Sequence, residues 1–417
     1  MIIHSNWKRK LNSYLFKPLP LLLFGLGTQI ISILHKPSRH ISDSTEAFCN
    51  FYITKFQILN VHLDCDAQYF LLDSQSPSRI IQNQSPLEDR PLFTYLVYIG
   101  SKVLQFIGIP AGPITYLGDD GVPQTYNLLN YALFVVINAT ILIFSMYLVW
   151  KVIFTKKVMT NTHSKIFLSA ALVTITQNPI NREFFWTPHS QLFNILIPCL
   201  LFYMTQPEYV VTKKKYLLLL ISISAALLMY PTFFIILPFF FIKTLRSLGK
   251  RYAIMISVCL IPKFLWPMIL NTLGGSYTDN PIIQGRRFIW IIDSIRSKTL
   301  IEVSNSKMLD FLHSLPLLWV VITLIITSIG AINFSVSRKS GFVQKAQYSR
   351  DSLIALGIYS AGIILNGQYG PRFTTGIVIL LCLIILKEAS RIRPPFKYWW
   401  ILYYCLIFAN FGFWVSN

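Results

Sequence analysis

Asp64 and Asp66 stand two residues apart in the stretch His62-Leu63-Asp64-Cys65-Asp66-Ala67-Gln68-Tyr69-Phe70, and Glu88, Asp89 and Arg90 abut Pro91. Seven of the chain's 17 acidic residues (Asp43, Glu46, Asp64, Asp66, Asp73, Glu88, Asp89) fall between residues 36 and 91. Concentrating scarce carboxylates in one stretch marks a candidate site. A carboxylate beside aromatic rings and a guanidinium can act as general base toward a hydroxyl or amine, because partial burial raises its pKa and the cation tunes it back. Two carboxylates together can instead hold a divalent cation through oxygen ligands. A plainer role is equally open: Asp66 can cap a helix that begins near Ala67, ahead of the fair helical run Gln68 to Leu72. Capping explains one aspartate better than two, and it leaves Glu88-Asp89-Arg90 unaccounted for.

The elements that must position these residues are greasy. The chain is 53% hydrophobic and 13% charged. Apolar runs of membrane-span length recur along it, separated by short basic clusters, as in a polytopic membrane protein. The net charge of +20 comes from Lys and Arg at the ends of those runs. They read as cytoplasmic anchors and exclude a nucleic-acid partner. Cys199, Cys259, Cys382 and Cys405 lie within apolar runs and read as small core residues. Cys49 and Cys65 share the acidic loop and can pair there if it faces an oxidising compartment.

Lys8, Arg9 and Lys10 keep the amino terminus in the cytoplasm, and a first span near Leu15 to Leu34 delivers the acidic loop to the outer side. Within that loop Thr94, Tyr98, Ser101 and Gln105 share one helical stripe, giving residues 92 to 109 a wet face and a greasy face. That pattern suits a helix lying in the interface. Further spans are expected near Asn127 to Trp150, Lys165 to Thr176 and Gln191 to Tyr203. The apolar run Tyr216 to Ile242 is read as two short spans folded at Tyr230-Pro231, which keeps Arg246, Lys250 and Arg251 inside. Spans near Tyr252 to Leu273, Leu315 to Phe334, Leu353 to Leu365, Phe373 to Leu386 and Trp399 to Trp414 complete the layout. The expectation is an all-α polytopic membrane protein with about 11 transmembrane helices. It forms a single membrane domain, 1–417, with an outer acidic loop at 36–126 that carries interfacial helices and a second outer loop at 274–312.

An acidic pair in the first outer loop, a Tyr a few residues on, and a basic-Pro-Leu opening an amphipathic helix together resemble the GT-C glycosyltransferase superfamily. Protein O-mannosyltransferases and lipid A aminoarabinose transferases place an acidic pair and a Pro-Pro-Leu there. The likeness is close over about residues 60 to 96 and elsewhere extends only to the layout of spans. Two departures stand out: Cys65 separates the acids, and Arg90-Pro91 replaces the double proline. The resemblance implies that an acid of the pair is the catalytic base, with Asp66 favoured by its distance from Tyr69 and Asp64 still possible. It implies a sugar donor carried on a polyprenyl phosphate and a glycan, lipid or protein acceptor. It also implies a basic group for the donor phosphate. Arg372, in the turn Gly367-Gln368-Tyr369-Gly370-Pro371-Arg372, is the first candidate, with snorkelling at the interface as its plainer role. Arg286 and Arg287 follow. Tyr69, Glu88, Asp89, Arg90, His189 and Tyr369 are the expected substrate contacts. Arg182, Trp186 and His189 line another outer turn, where ordinary anchoring is the plainer role.

Two other classes compete: a flippase or transporter for lipid-linked glycans, and a non-catalytic assembly subunit that docks through its acidic loop. A transporter should carry ionisable residues near mid-membrane, and these spans are almost free of acids. The compartment is expected to be the bacterial plasma membrane, with the endoplasmic reticulum as the alternative that the sequon Asn83-Gln84-Ser85 leaves open.

Overall fold

The structure, a computed structural model, describes residues 23, 25–29, 48–52, 60–64, 66–82, 85, 87–117, 122–154, 171–172, 174–206, 209–275, 289–315, 343–367 and 371–392. It is predominantly helical, as the apolar runs require. The longest helix, α4 (Leu128–Phe154), follows α1 (Ala67–Gln75), α2 (Ser78–Ile81) and α3 (Pro91–Phe106). Then come α5 (Pro179–Phe184), α6 (Phe193–Met204), α7 (Lys213–Met229), α8 (Ile236–Leu248), α9 (Lys250–Ile254) and α10 (Ile261–Thr272). The series ends with α11 (Ile289–Arg296), α12 (Leu300–Ser314), α13 (Val343–Asn366) and α14 (Pro371–Ile392). Among the described residues three helical stretches are long and apolar enough to cross a membrane: Leu128–Val152, Pro231–Leu248 and Lys250–Thr272. This is a membrane protein. The expected spans Leu315 to Phe334 and Trp399 to Trp414 lie outside the described residues.

Prolines set the breaks. Tyr230 is extended (φ −154°, ψ 106°) and ends α7, after which Pro231–Ile235 forms a 3-10 turn into α8. The residue before a proline disfavours the helical region, so the run breaks where its sequence says it should. In the stretch Lys250–Thr272, a 3-10 segment at Met255–Leu260 separates α9 from α10, which opens with a proline in its first turn. Pro262 has no N–H to give to the carbonyl four residues back.

Helix α6 is the hub. It packs between α4 and α14, and ten of its 12 residues are buried. A helix that is apolar all round belongs inside. A Cβ at Gly376 of α14 would collide with the Tyr359 hydroxyl and come within 3.0 Å of the Asn194 carbonyl. The missing side chain is what lets α14 approach α6. At the far ends of these helices, Lys151 lies 5.2 Å from the Tyr203 ring and Lys387 lies 6.0 Å from the Phe202 ring. Lys243 and Arg246 of α8 grip Asp351 of α13 at 2.7 and 2.6 Å.

The acidic loop holds more than helices. Strands β1 (Phe48–Tyr52), β2 (Asn60–Asp64), β3 (Pro113–Leu117) and β4 (Pro123–Asn127) form an antiparallel sheet in the order β2-β1-β3-β4. Phe48 pairs with Asp64, Tyr52 with both Asn60 and Thr115, and Ile114 with Tyr126. Helical periodicity did not announce these five-residue strands. They are rich in aromatic and β-branched residues, which suit a half-buried pleated surface. The sheet fixes where β2 ends, and so where the chain turns through Asp66 into α1. Helix α3 has the two faces read from its sequence, but the stripe expected to be wet is turned inward: Thr94 and Ser101 are buried, while Ile99, Val103 and Phe106 stand exposed.

Candidate active site

Asp66 sits at the start of α1 in helical conformation, and its carbonyl accepts from Tyr69 N at 3.1 Å. Its side chain makes no capping hydrogen bond, which corrects the capping role. Instead Asp66 Oδ2 lies 3.9 Å from His189 Nε2. The two differ sharply in exposure, 53% for the aspartate side chain and 4% for the histidine. An exposed carboxylate facing a sequestered imidazole can exchange a proton with solvent or ligand on one side only.

The imidazole is held by its neighbours. Its ring lies 4.9 Å from Phe70 and 5.1 Å from Phe184. The turn that carries it is clamped from α4, where the Asn138 amide donates to the carbonyls of Phe184 (3.0 Å), Phe185 (3.0 Å) and Thr187 (2.9 Å). Asn178 caps α5 by accepting from Asn181 N at 3.0 Å. Trp186 donates to the Gln29 carbonyl at 3.0 Å and so ties the turn to the helical residues 25–29. Arg182 lies on α5, and its side chain is outside the described set.

Arg90 completes the arrangement from the other side. Its Nη1 donates to Ser190 Oγ at 2.9 Å, its Nε lies 3.6 Å from Asp89 Oδ1, and its guanidinium sits 5.4 Å over the Tyr230 ring. Tyr230 donates to Gln191 Oε1 at 3.0 Å. Consecutive residues His189 and Ser190 thus meet the acid and the cation respectively. Since neighbouring Cα atoms are about 3.8 Å apart, the two opposite charges flank a single dipeptide.

The Glu88-Asp89-Arg90 segment is secured through its backbone. Trp266 donates to the Glu88 carbonyl at 2.6 Å, and Lys263 donates to the Asp89 carbonyl at 2.7 Å. Both donors come from α10, so a lysine inside an apolar helix ends up beside Asp89 and Arg90. At the segment's origin, Ser85 hydrogen-bonds to buried Asp73, which lies 3.5 Å from Arg79, and Leu87 N donates to Ser85 Oγ at 3.0 Å. Burial pushes the Asp73 carboxyl up to about 6, against the opposing pull of Ser85 and Arg79. Ser85 is 5% exposed, so the hydroxyl of the Asn83-Gln84-Ser85 triplet is not presented to solvent.

Asp66, Tyr69, Asp89, Arg90 and His189 are therefore brought to one region, and Glu88 contributes its carbonyl to holding it. Asp64 ends β2, and its side chain lies outside the described set. Arg286, Arg287 and Tyr369 lie outside the described residues, as do Cys65 and any bridge from it to Cys49. Arg372 is the second residue of α14, with its side chain undescribed. Among the described residues no three His, Cys, Asp or Glu side chains gather as a metal site. Sequence reading missed Ser190, Tyr230, Lys263 and Asn138. The signal for Asn138 and Lys263 was a polar group inside an apolar run. No family model, curated protein or solved structure matches the chain.

Proposed function

We propose that this chain is a multi-pass GT-C-type glycosyltransferase of about 11 spans in a bacterial plasma membrane. It moves a sugar from a polyprenyl-phosphate carrier to a glycan, lipid or protein acceptor on the extracytoplasmic side. The observation that carries this reading is the Asp66–His189 contact set one residue from the Ser190–Arg90 hydrogen bond. In the proposed step the acceptor oxygen attacks the anomeric carbon, and the bond from that carbon to the phosphate oxygen breaks. Polyprenyl phosphate leaves with the electron pair, and the acceptor proton passes to Asp66. Arg90 and Lys263, which meet at Asp89, are described cations that could take the phosphate, Arg90 offering the planar fork that suits phosphate oxygens. They join Arg372, Arg286 and Arg287 as phosphate candidates.

The test is transfer of radiolabelled sugar from polyprenyl phosphate by membranes containing wild type or Asp66→Asn. Losing a positioned base costs about 100- to 10,000-fold in rate. A folded Asp66→Asn protein with near-normal transfer would transfer the role to Asp64 or remove it from this loop altogether.

A further inference from the structure

Helix α12 takes no part in the Asp66 site, and its sequence keeps it from crossing a membrane. Its 15 residues rise about 22 Å, short of the roughly 30 Å apolar core of a bilayer. Glu302, Lys307 and Asp310 all lie within it. It stops at Leu315, which is extended (φ −82°, ψ 125°) ahead of Pro316, as the residue before a proline prefers to be.

Its depth is set by ties to the turn between α13 and α14. Thr374 of α14 donates to the Ser314 carbonyl at 2.9 Å, and Lys307 donates to the Gly367 carbonyl at 3.5 Å. From α11, Trp290 donates to the Leu365 carbonyl at 3.0 Å, and its ring would lie 2.8 Å from a Cβ at Gly367 (φ +69°). That turn joins two apolar helical runs. Residues 353 to 365 carry no charge, and Phe373–Lys387 is an apolar helix. The exposed side chain of Leu365 brings the apolar surface of α13 up to the tie itself. Helix α12 therefore lies where the bundle leaves the apolar layer.

At about 100° per residue, three edges run along α12. Ser304, Lys307 and the buried Phe311 turn toward the bundle. Ile301, Met308, Leu309 and Leu312 share a second edge, and all are exposed, Ile301 to 77%. Asn305 is the one polar residue on that edge. Glu302, Ser306, Asp310 and His313 form the third edge, exposed as well. An apolar strip beside a charged strip, on a helix too short to cross, fits a helix lying in the interface plane. We propose that α12 rests on the bilayer surface, with Ile301, Met308, Leu309 and Leu312 seated in the acyl boundary and Glu302, Ser306, Asp310 and His313 in water. Because α12 also grips residues 367 and 374, its seating sets the height of the α13–α14 turn. The assignment stands whether or not Asp66 is a base.

The test uses the full wild-type chain in phosphatidylcholine nanodiscs, where part of the lipid carries a benzophenone on its acyl chain near the glycerol. Irradiation is followed by peptide mass spectrometry, with labelling of the spanning stretch Lys250–Thr272 as the positive control. Lipid adducts are expected on Ile301, Met308, Leu309 or Leu312 and are expected to be lost at Ser306, Asp310 and His313. Equal labelling of the two edges overturns the proposal, as does an unlabelled α12 beside a labelled control. A second arm replaces Ile301 by the photoreactive residue benzoylphenylalanine. A cross-link to lipid supports the seating. A cross-link to a second copy of the chain, or to another segment of the same one, overturns it. If that variant fails to fold, the wild-type map decides alone.

Discussion

Arg90 Nη1 and Ser190 Oγ, a hundred residues apart in sequence, meet at 2.9 Å. That bond carries the acidic loop into the bundle, because Ser190 opens the turn leading into α6, the most deeply packed helix. Arg90 also lies over Tyr230, which ends α7 at the Tyr230-Pro231 break. One guanidinium therefore joins the loop, the α5–α6 turn and the C-terminal end of α7.

Arg90→Lys keeps the charge and loses the fork. The ammonium can satisfy Ser190 or Asp89, with poorer stacking on Tyr230. Donor use should fall by about tenfold, with a loss of roughly 1 kcal/mol in stability. Transfer assays at varied donor concentration, together with thermal unfolding, measure both. Unchanged donor dependence in a folded Arg90→Lys protein would place the phosphate elsewhere and return the candidacy to Arg372.

Asn138→Leu should behave as a structural lesion. The substitution keeps the branching at Cγ, although Leu is the bulkier side chain, and it strips donors from the carbonyls of Phe184, Phe185 and Thr187 in a buried setting. The expected cost is about 2–3 kcal/mol, since each abandoned polar group costs about 1–3 and the turn can relax in part. Unfolding in detergent reads it. An unaltered midpoint would mean that the three carbonyls find other partners.

Asp73 makes stability depend on pH in an unusual direction. Its folded pKa is raised from 3.8 to about 6 by burial. Between those values the native state holds the proton more tightly than the unfolded chain does. Asp73 therefore stabilises fully below its unfolded pKa, and that contribution is lost as pH rises through about 6. Asp73→Asn keeps an acceptor for Ser85 and removes the titration. It should be more stable than wild type at pH 7.5, and its stability should be flatter between pH 4 and 7. Parallel curves for the two proteins would refute the buried, protonated carboxyl.

Much of this architecture is legible in the residues. The break at Tyr230-Pro231, the two faces of α3, and the candidacy of Asp66, Asp89, Arg90 and His189 each follow from a local signal. Those signals are a proline, a 3.6-residue stripe, and polar groups scarce enough to be conspicuous. The sheet was hidden because its strands are only five residues long and aromatic-rich, which resembles apolar helix over so short a window. The direction of the Asp66 side chain was hidden for another reason. Capping and pairing with His189 compete for the same carboxylate, and only the tertiary placement of residue 189 decides between them. Lys263 and Ser190 acquire meaning only through partners more than 90 residues away, which no sequence window contains.

At the opposite end of the bundle, Asp351 neutralises both Lys243 and Arg246. Asp351→Asn would leave the nearly buried Lys243 beside Arg246 with no anion between them. The cost should be about 2 kcal/mol, below that of a fully buried pair because Arg246 is partly in solvent. The Asp66 site should keep its activity per folded molecule. Thermal unfolding and specific transfer, normalised to folded protein, separate the two effects.

His189 is the residue on which the acid–base reading can be tested most sharply. At 3.9 Å, the Asp66–His189 contact is longer than a direct hydrogen bond. Catalytic hydrogen bonds are often long before substrate arrives and tighten in the reacting complex. The imidazole is also packed between Phe70 and Phe184, so a purely structural role must be distinguished. His189→Gln keeps a polar, hydrogen-bonding side chain and abolishes titration. If His189 positions Asp66, kcat should fall by about tenfold to a hundredfold with KM little changed, and the pH profile of kcat should change shape. The double variant Asp66→Asn/His189→Gln should then be no slower than Asp66→Asn, because residues acting as a unit are not additive. A merely structural histidine gives a different pattern: a lower unfolding midpoint, an unmoved pH profile, and losses that multiply in the double variant.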